Sequence, residues 1–342
     1  MLAVSWLCLL LDRLLYPSLP EVVIDKPVFV VGVPRSGTTY LHRALAKEDA
    51  FTTASTWEVA LAPSVLQRRF LRLLAGFDRL IGNPLQRLVS WLISDAAASV
   101  EHVHAIGLQD AEEDYLLLLS AAGCFFAHIA FPANRHFSAL AHLEDMPKAE
   151  RDALLDHYHG LLQRQCFDGC PGQFLSKNAA FASWVPYLAE RYPDALFIVC
   201  IRDPTTALDS QLSSLKEARR LFASFPVESE FRRVFAEHYE RWYEVLNKAC
   251  WDSELPAVVI EQEWMKDHPH ALMDLIYSHL GRPVPAASAN HQEPAGQSVE
   301  GNRRKGQPST PAAPDALEYS GFDALKHQAL FYRGEEEQTL HA

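Results

Sequence analysis

An α/β fold, built on a mostly parallel sheet flanked by helices, is what this 342-residue sequence predicts, and three features carry that prediction. Short apolar runs rich in β-branched residues (Val28 to Val31, Ala195 to Ile201, Ala257 to Ile260) are hydrophobic at every position, as strands buried on both faces are. Helical patterns open directly after the first two, at Thr38 and Pro204. Between the first pair of elements and the next strand candidate lie some 120 residues whose apolar positions recur at about 3.6-residue spacing, which reads as a large helical insertion. A composition of 49% hydrophobic and 22% charged residues supports a substantial core.

Taken in chain order, the first segment is apolar. Met1 to Leu11 covers about half of the ~20 residues that span a bilayer, and Asp12-Arg13 interrupts it. No basic stretch or small-residue cleavage site marks a signal peptide. A helix packed on the core is the ordinary reading, and an interfacial helix that brings the protein to lipid-like molecules is the sharper one.

The next segment is the most informative. Val28-Phe-Val-Val-Gly32-Val-Pro34-Arg35-Ser36-Gly37-Thr38-Thr39 runs from a strand through a Gly-containing loop into a helix carrying Leu41, Ala44 and Leu45 on one stripe. Such a junction aims backbone N–H groups and a helix dipole at one point, which makes an anion site, most naturally for phosphate. The glycine spacing is that of the nucleoside triphosphatase P-loop, so the fold is P-loop-like. Thr38, however, stands where that loop has its Lys, and Arg35 is the only cation. A kinase or a nucleotide-binding protein without transfer activity is the alternative that this substitution disfavours.

The wording Gly32-Val33-Pro34-Arg35-Ser36-Gly37-Thr38-Thr39 resembles the 5′-phosphosulfate loop of sulfotransferases that use 3′-phosphoadenosine 5′-phosphosulfate (PAPS), in the branch of bacterial, carbohydrate and tyrosylprotein enzymes. A second segment agrees. Arg202-Asp203-Pro204 ends a strand and caps a helix, and Arg202 with Ser210 two turns on resembles the family's 3′-phosphate pair. Bidentate Arg with a hydroxyl suits a terminal phosphate. Phe174 to Asn178 is a short strand-like run holding Lys177, before a helical pattern from Phe181 to Arg191. It resembles the family's strand ending in Lys, although Asn178-Ala179 departs from the usual wording. Asp267-His268-Pro269 opens a helix that stops at Gly281 with Pro283 behind it. The resemblance covers roughly residues 26–284. It implies an extension over 1–25, a sulfotransferase domain over 26–284 with its helical insert at about 57–170 forming the acceptor side, and a loop with a C-terminal segment over 285–342.

What the resemblance implies about chemistry follows from an in-line, loose transition state, by analogy with phosphoryl transfer. Pro34, Arg35, Ser36, Gly37, Thr38 and Thr39 would hold the donor's 5′ end, and Arg35 would supply positive charge. Arg202 and Ser210 would hold its 3′-phosphate, with Arg303, Arg304, Lys305 and Gly306 resembling an element that folds over it. Lys177 would stabilise the leaving oxygen. Glu58 is the first candidate for the base, by its position after the first helix, and His104 (with His102) the second. The acidic run Asp110 to Asp114 reads as a helix N-terminal cap. Helical patterns are expected at Pro63 to Phe77, Leu85 to Ile93, Glu112 to Ala121 and Arg151 to Gln165.

Charge and cysteine usage bound the rest. A formal net charge of −12 argues against nucleic acid as a partner. Six scattered cysteines without metal-ligand spacing read as reduced thiols of a cytoplasmic protein, with peripheral membrane contact through the N-terminal helix kept open. The 15 His form no zinc motif, and no metal is expected. The acceptor is expected to be a small molecule, a carbohydrate or a lipid-like hydroxyl or amine. Pro285 to Asp315 is rich in Pro, Ala, Gly, Ser and Gln and reads as a long loop.

Overall fold

A computed structural model of the chain describes residues 2–84, 87, 109–125, 127–128, 131, 134–222, 228–252, 255–285 and 320–332. Among them, five strands form one parallel sheet: β1 (Val28–Gly32), β2 (Phe51–Thr52), β3 (Gln173–Asn178), β4 (Leu196–Ile201) and β5 (Ala257–Glu261). Their order is β2-β3-β1-β4-β5. From central β1 the chain first builds the β2-β3 side and then crosses to β4 and β5, so the order reverses beside β1. In open α/β sheets, ligands bind at the carboxyl ends of strands flanking such a switch point.

The full apolarity of the strands has its cause in the layers. Phe29, Val31, Phe197 and Val199 face one buried cluster. Val28, Val30, Ile198 and Cys200 face the other, where Leu41, Leu45, Met265 and Ile276 come from helices. The four strands read from sequence are all present. β2 was not read: two residues give no pattern, and its pairing depends on β3, with Phe51 opposite Gln173.

Most helices fall where the apolar spacing put them, at Val65–Leu80, Lys148–Cys166, Pro204–Phe222 and Pro269–His279. The pattern at Glu112 to Ala121 is corrected: Asp114–Ala121 is a 3₁₀ helix, whose first residue is tied to β3 by side-chain bonds rather than standing free as a dipole cap. The segment read as one helix from Phe181 begins with 3₁₀ geometry over Phe181–Trp184 and becomes α-helical at Val185–Arg191. The helix read at Leu85 to Ile93 and the loop at Pro285 to Asp315 fall almost entirely outside the described residues.

Both ends of the described chain return to this core. Helix Ser320–Tyr332 packs on the long helix Glu228–Asp252 and on β5, with Lys326 3.4 Å from Glu261. Helix Leu2–Leu15 packs beside Val65–Leu80. Its buried Asp12 accepts from the N–H groups of Val65 and Leu66, both at 3.0 Å, and pairs with Arg164 at 2.9 Å.

Candidate functional site

The loop after β1 is shaped by backbone geometry that few residues adopt. Gly32, Arg35 and Gly37 all have positive φ, at 152°, 68° and 93°. A Cβ on Gly32 would run into the carbonyl oxygen of Cys200 on neighbouring β4, and one on Gly37 would come within 2.5 Å of Met265 Cε. Only glycine fits either place. Arg35 accepts left-handed strain, of a kind that clusters at ligand sites. Ser36 is buried and its hydroxyl donates to the Val33 carbonyl at 2.7 Å, so it closes the loop from inside. Gly37 is the N-cap of helix Thr38–Leu45, and no side chain caps that end. The first N–H groups of the helix therefore point at the loop without a side-chain acceptor, as an anion site requires.

β4 ends one strand away, and the two strand ends are bonded to each other. Arg35 Nε donates to Ser210 Oγ at 3.1 Å, and an Arg202 terminal nitrogen donates to the Arg35 carbonyl at 3.1 Å. Tyr239 holds the Pro34 carbonyl at 2.7 Å. Tyr243 takes the N–H of Arg202 at 3.3 Å and donates to its carbonyl. Asp203 caps the following helix at Thr206 N, 2.8 Å away, which fixes where Ser210 falls. Two cations and a hydroxyl, from segments far apart in sequence, thus meet at the carboxyl edge of the sheet.

Lys177 is the third component. It lies opposite Val30 in the β1–β3 register, is 3% exposed, and pairs with Glu113. Its backbone N–H donates to Asp114 Oδ1 at 2.9 Å. Asp114, fully buried, also accepts from Tyr158 and, at 3.0 Å, from Ser176. Burial pushes its carboxyl up to about 6, against those hydrogen bonds, which favour the charged form. Nearby His42 is driven down to about 3 by burial first and by the Lys177 charge second. It bonds Thr53 Oγ1 at 2.8 Å.

The predicted residues divide accordingly. Pro34, Arg35, Gly37, Thr38, Thr39, Arg202 and Ser210 gather at one edge, with Ser36 beneath them. Glu58 stands at the third position of helix Thr56–Leu61 in a capping box: its Oε2 accepts from Ser55 N at 3.0 Å and Ser55 Oγ at 2.7 Å, and its Oε1 pairs with Arg72 at 3.2 Å. The segment before that helix joins the strip leading to Glu113, through Thr56 N to Asp110 O at 2.9 Å and Glu112 N to Ala54 O at 3.0 Å. His104, Arg303, Arg304, Lys305 and Gly306 lie outside the described residues. Glu113 and Asp114 are not legible in the sequence as partners of Lys177, because acids ahead of an apolar run look like a surface cap. Among the described residues, no group of three or more His, Cys, Asp or Glu side chains is placed to hold a metal.

A parallel α/β sheet with a glycine loop and a helix without a side-chain N-cap at its switch point is a P-loop-like architecture. The sequence profile described as "Sulfotransferase family" matches residues 27–286, and the chain belongs to that family. Sulfotransferase STF9 from Mycobacterium avium is similar in fold, with a TM-score of 0.65 and 16% identity over 97% of this chain and 81% of that one. Sulfotransferase STF1 from Mycobacterium tuberculosis H37Rv gives a TM-score of 0.64 and 20% identity over 84% of this chain and 76% of that one. No curated protein sequence matches.

Proposed function

We propose that the protein transfers the sulfuryl group of PAPS to a hydroxyl or amine of a small-molecule, carbohydrate or lipid-like acceptor. The observation that carries this reading is the direct bonding of Arg35 to Ser210 and of Arg202 to the Arg35 carbonyl, which sets two anion-binding elements side by side. In this reading the Gly32–Thr39 loop and Arg35 hold the 5′-phosphosulfate, and Arg202 with Ser210 holds the 3′-phosphate. Arg303 to Gly306 would close over the latter. Lys177 supplies positive charge to the departing phosphate oxygen, where such charge lowers the barrier most.

A base must take the acceptor's proton. Glu113 is favoured by its pairing with Lys177, which puts a carboxylate beside the cation that meets the leaving group. Glu58 and His104 are the other candidates. Glu58 has both oxygens engaged by Ser55 and Arg72.

The reading is tested by labelled sulfate transfer from PAPS across a panel of sugars, phenols, sterols and lipid headgroups. It is paired with calorimetry of 3′-phosphoadenosine 5′-phosphate against adenosine 5′-phosphate. Tighter binding of the first nucleotide, with the difference abolished by Arg202→Ala, is expected. Equal affinity for the two would remove the 3′-phosphate site and with it the proposed donor.

A further inference from the structure

Helices Leu2–Leu15 and Val65–Leu80 lie side by side, and both are turned opposite to what water demands. The first buries Ser5, Leu9 and Asp12 at intervals of four and three, while Trp6, Leu7, Leu10 and Leu14 are exposed. The second buries Val65, Arg68 and Asp78 and exposes Phe70, Leu73, Phe77 and Leu80, the last 84% exposed. This orientation is fixed by polar bonds. Asp12 accepts from the N–H groups of Val65 and Leu66 that open the second helix and pairs with Arg164, and Arg68 donates to the Arg164 carbonyl. The inward side thus places polar groups at the contacts, while the two neighbouring helices turn exposed Leu, Phe and Trp side chains outward. Exposed apolar residues grouped in this way mark an interaction surface.

Charge indicates what covers it. On these two helices the acids, Asp12 and Asp78, are both buried, while Arg13, Arg69, Arg72 and Arg79 are exposed. Arg69 and Arg72 pair with Asp168, and Arg72 also with Glu58. In a chain of net charge −12, the exposed charges that these two helices themselves carry are therefore all basic, with Asp168 and Glu58 offsetting two of them. Leu, Phe and Trp bordered by Arg are the composition of helices that lie in a bilayer interface and bind anionic headgroups. Fourteen residues give a helix of roughly 21 Å, long enough to lie along such a surface. Among the described residues, no helix is long and apolar enough to span a membrane.

We infer that the outward face of helices Leu2–Leu15 and Val65–Leu80 docks on an anionic membrane surface, with Leu7, Leu10, Leu73 and Phe77 entering the interface and Trp6, stacked on His157, at its border. This stands independently of the sulfotransferase reading, because its readout is binding to vesicles and not turnover.

The test is co-sedimentation of the full chain with phosphatidylcholine vesicles, with and without phosphatidylglycerol. Tryptophan quenching by brominated lipid is measured in parallel. Binding that rises with phosphatidylglycerol and falls with salt is expected, and the Trp6→Phe variant should lose the quenched component. The exposed double changes Leu73→Glu/Phe77→Glu and Leu7→Glu/Leu10→Glu should each weaken partitioning at least tenfold, with melting temperature and nucleotide binding unchanged. Arg13→Glu/Arg79→Glu should remove the preference for anionic lipid.

A monomer that ignores both kinds of vesicle would overturn the inference. So would a dimer that the Leu73→Glu/Phe77→Glu protein no longer forms and that does not bind vesicles, since the face would then belong to a second copy. Vesicle binding unaffected by both double changes would overturn it as well.

Discussion

Lowering the pH from 7 to 5 should weaken the fold steeply, and the buried imidazoles set the magnitude. His42, His128 and His238 have their pKa values driven from 6.5 to about 3, about 4 and about 2, in each case by burial first. His238 lies between the other two of a buried trio, 2.7 Å from His142 and 3.3 Å from His128. The groups packed around the trio are Glu144, 3.6 Å from His142, and Arg241, which pairs with Glu144 and whose charge further lowers His238. A depressed imidazole pKa means the unfolded chain takes up the proton first, so the stability from these three groups is complete above 6.5 and is lost as pH falls. Asp114 acts the other way: its folded value is raised to about 6 from 3.8, so the folded state holds that proton and gains stability as pH falls through about 6.

At pH 5 the three imidazoles give the unfolded chain nearly three extra protons and Asp114 gives the folded chain nearly one. The net is about two protons, or roughly 3 kcal/mol per pH unit. Summed from pH 7 to pH 5 the loss is about 4 kcal/mol, a large share of the ~5–15 kcal/mol of a typical domain. Urea unfolding at half-unit steps of pH measures it directly. A stability that is flat or rising between pH 7 and pH 5 would refute the burial of these imidazoles in neutral form.

Three other outcomes are expected. Glu113→Gln and Lys177→Met should each lower kcat by roughly 10²–10⁴-fold with nucleotide affinity nearly kept. If Glu58→Gln does so instead and Glu113→Gln does not, the base is Glu58. Gly32→Ala should cost about 3 kcal/mol or more, because its new Cβ meets the Cys200 carbonyl and β4 cannot retreat within a sheet, and it should abolish nucleotide binding in a thermal-shift assay. Asp12→Ala should cost about 3–5 kcal/mol in urea unfolding, since it leaves Arg164 buried without its carboxylate and the N–H groups of Val65 and Leu66 without their acceptor; a loss under ~1 kcal/mol would show that the buried pair contributes little.

How much of this was legible in the sequence depends on how local each feature is. β1 and β4 are readable because every residue is apolar, and the Gly32–Thr39 loop because its glycines serve its own backbone. The pairing of Arg202 with Ser210 is implied by the family's second motif, but the contact of Arg35 with Ser210 is not legible, since no local pattern joins residues 175 positions apart. Glu113 and Asp114 were misread because their partners, Lys177, Ser176 and Tyr158, lie 44 to 64 positions away. The apolar stretch from Leu2 was read as packing inward by default. Its buried stripe instead passes through Ser5 and Asp12, which hydropathy assigns to solvent.

The bonds between the two strand ends bear on selectivity. Ser210 has Arg35 as a partner and the Arg35 carbonyl holds Arg202. In the proposed reading, a 3′-phosphate would exchange these bonds for a charge-assisted set instead of ordering two loose loops. A nucleotide without that phosphate would have little with which to draw Ser210 away. Discrimination would then reside partly in the protein's own contacts: weakening one of them, as Ser210→Ala does, should narrow the gap between the two nucleotides.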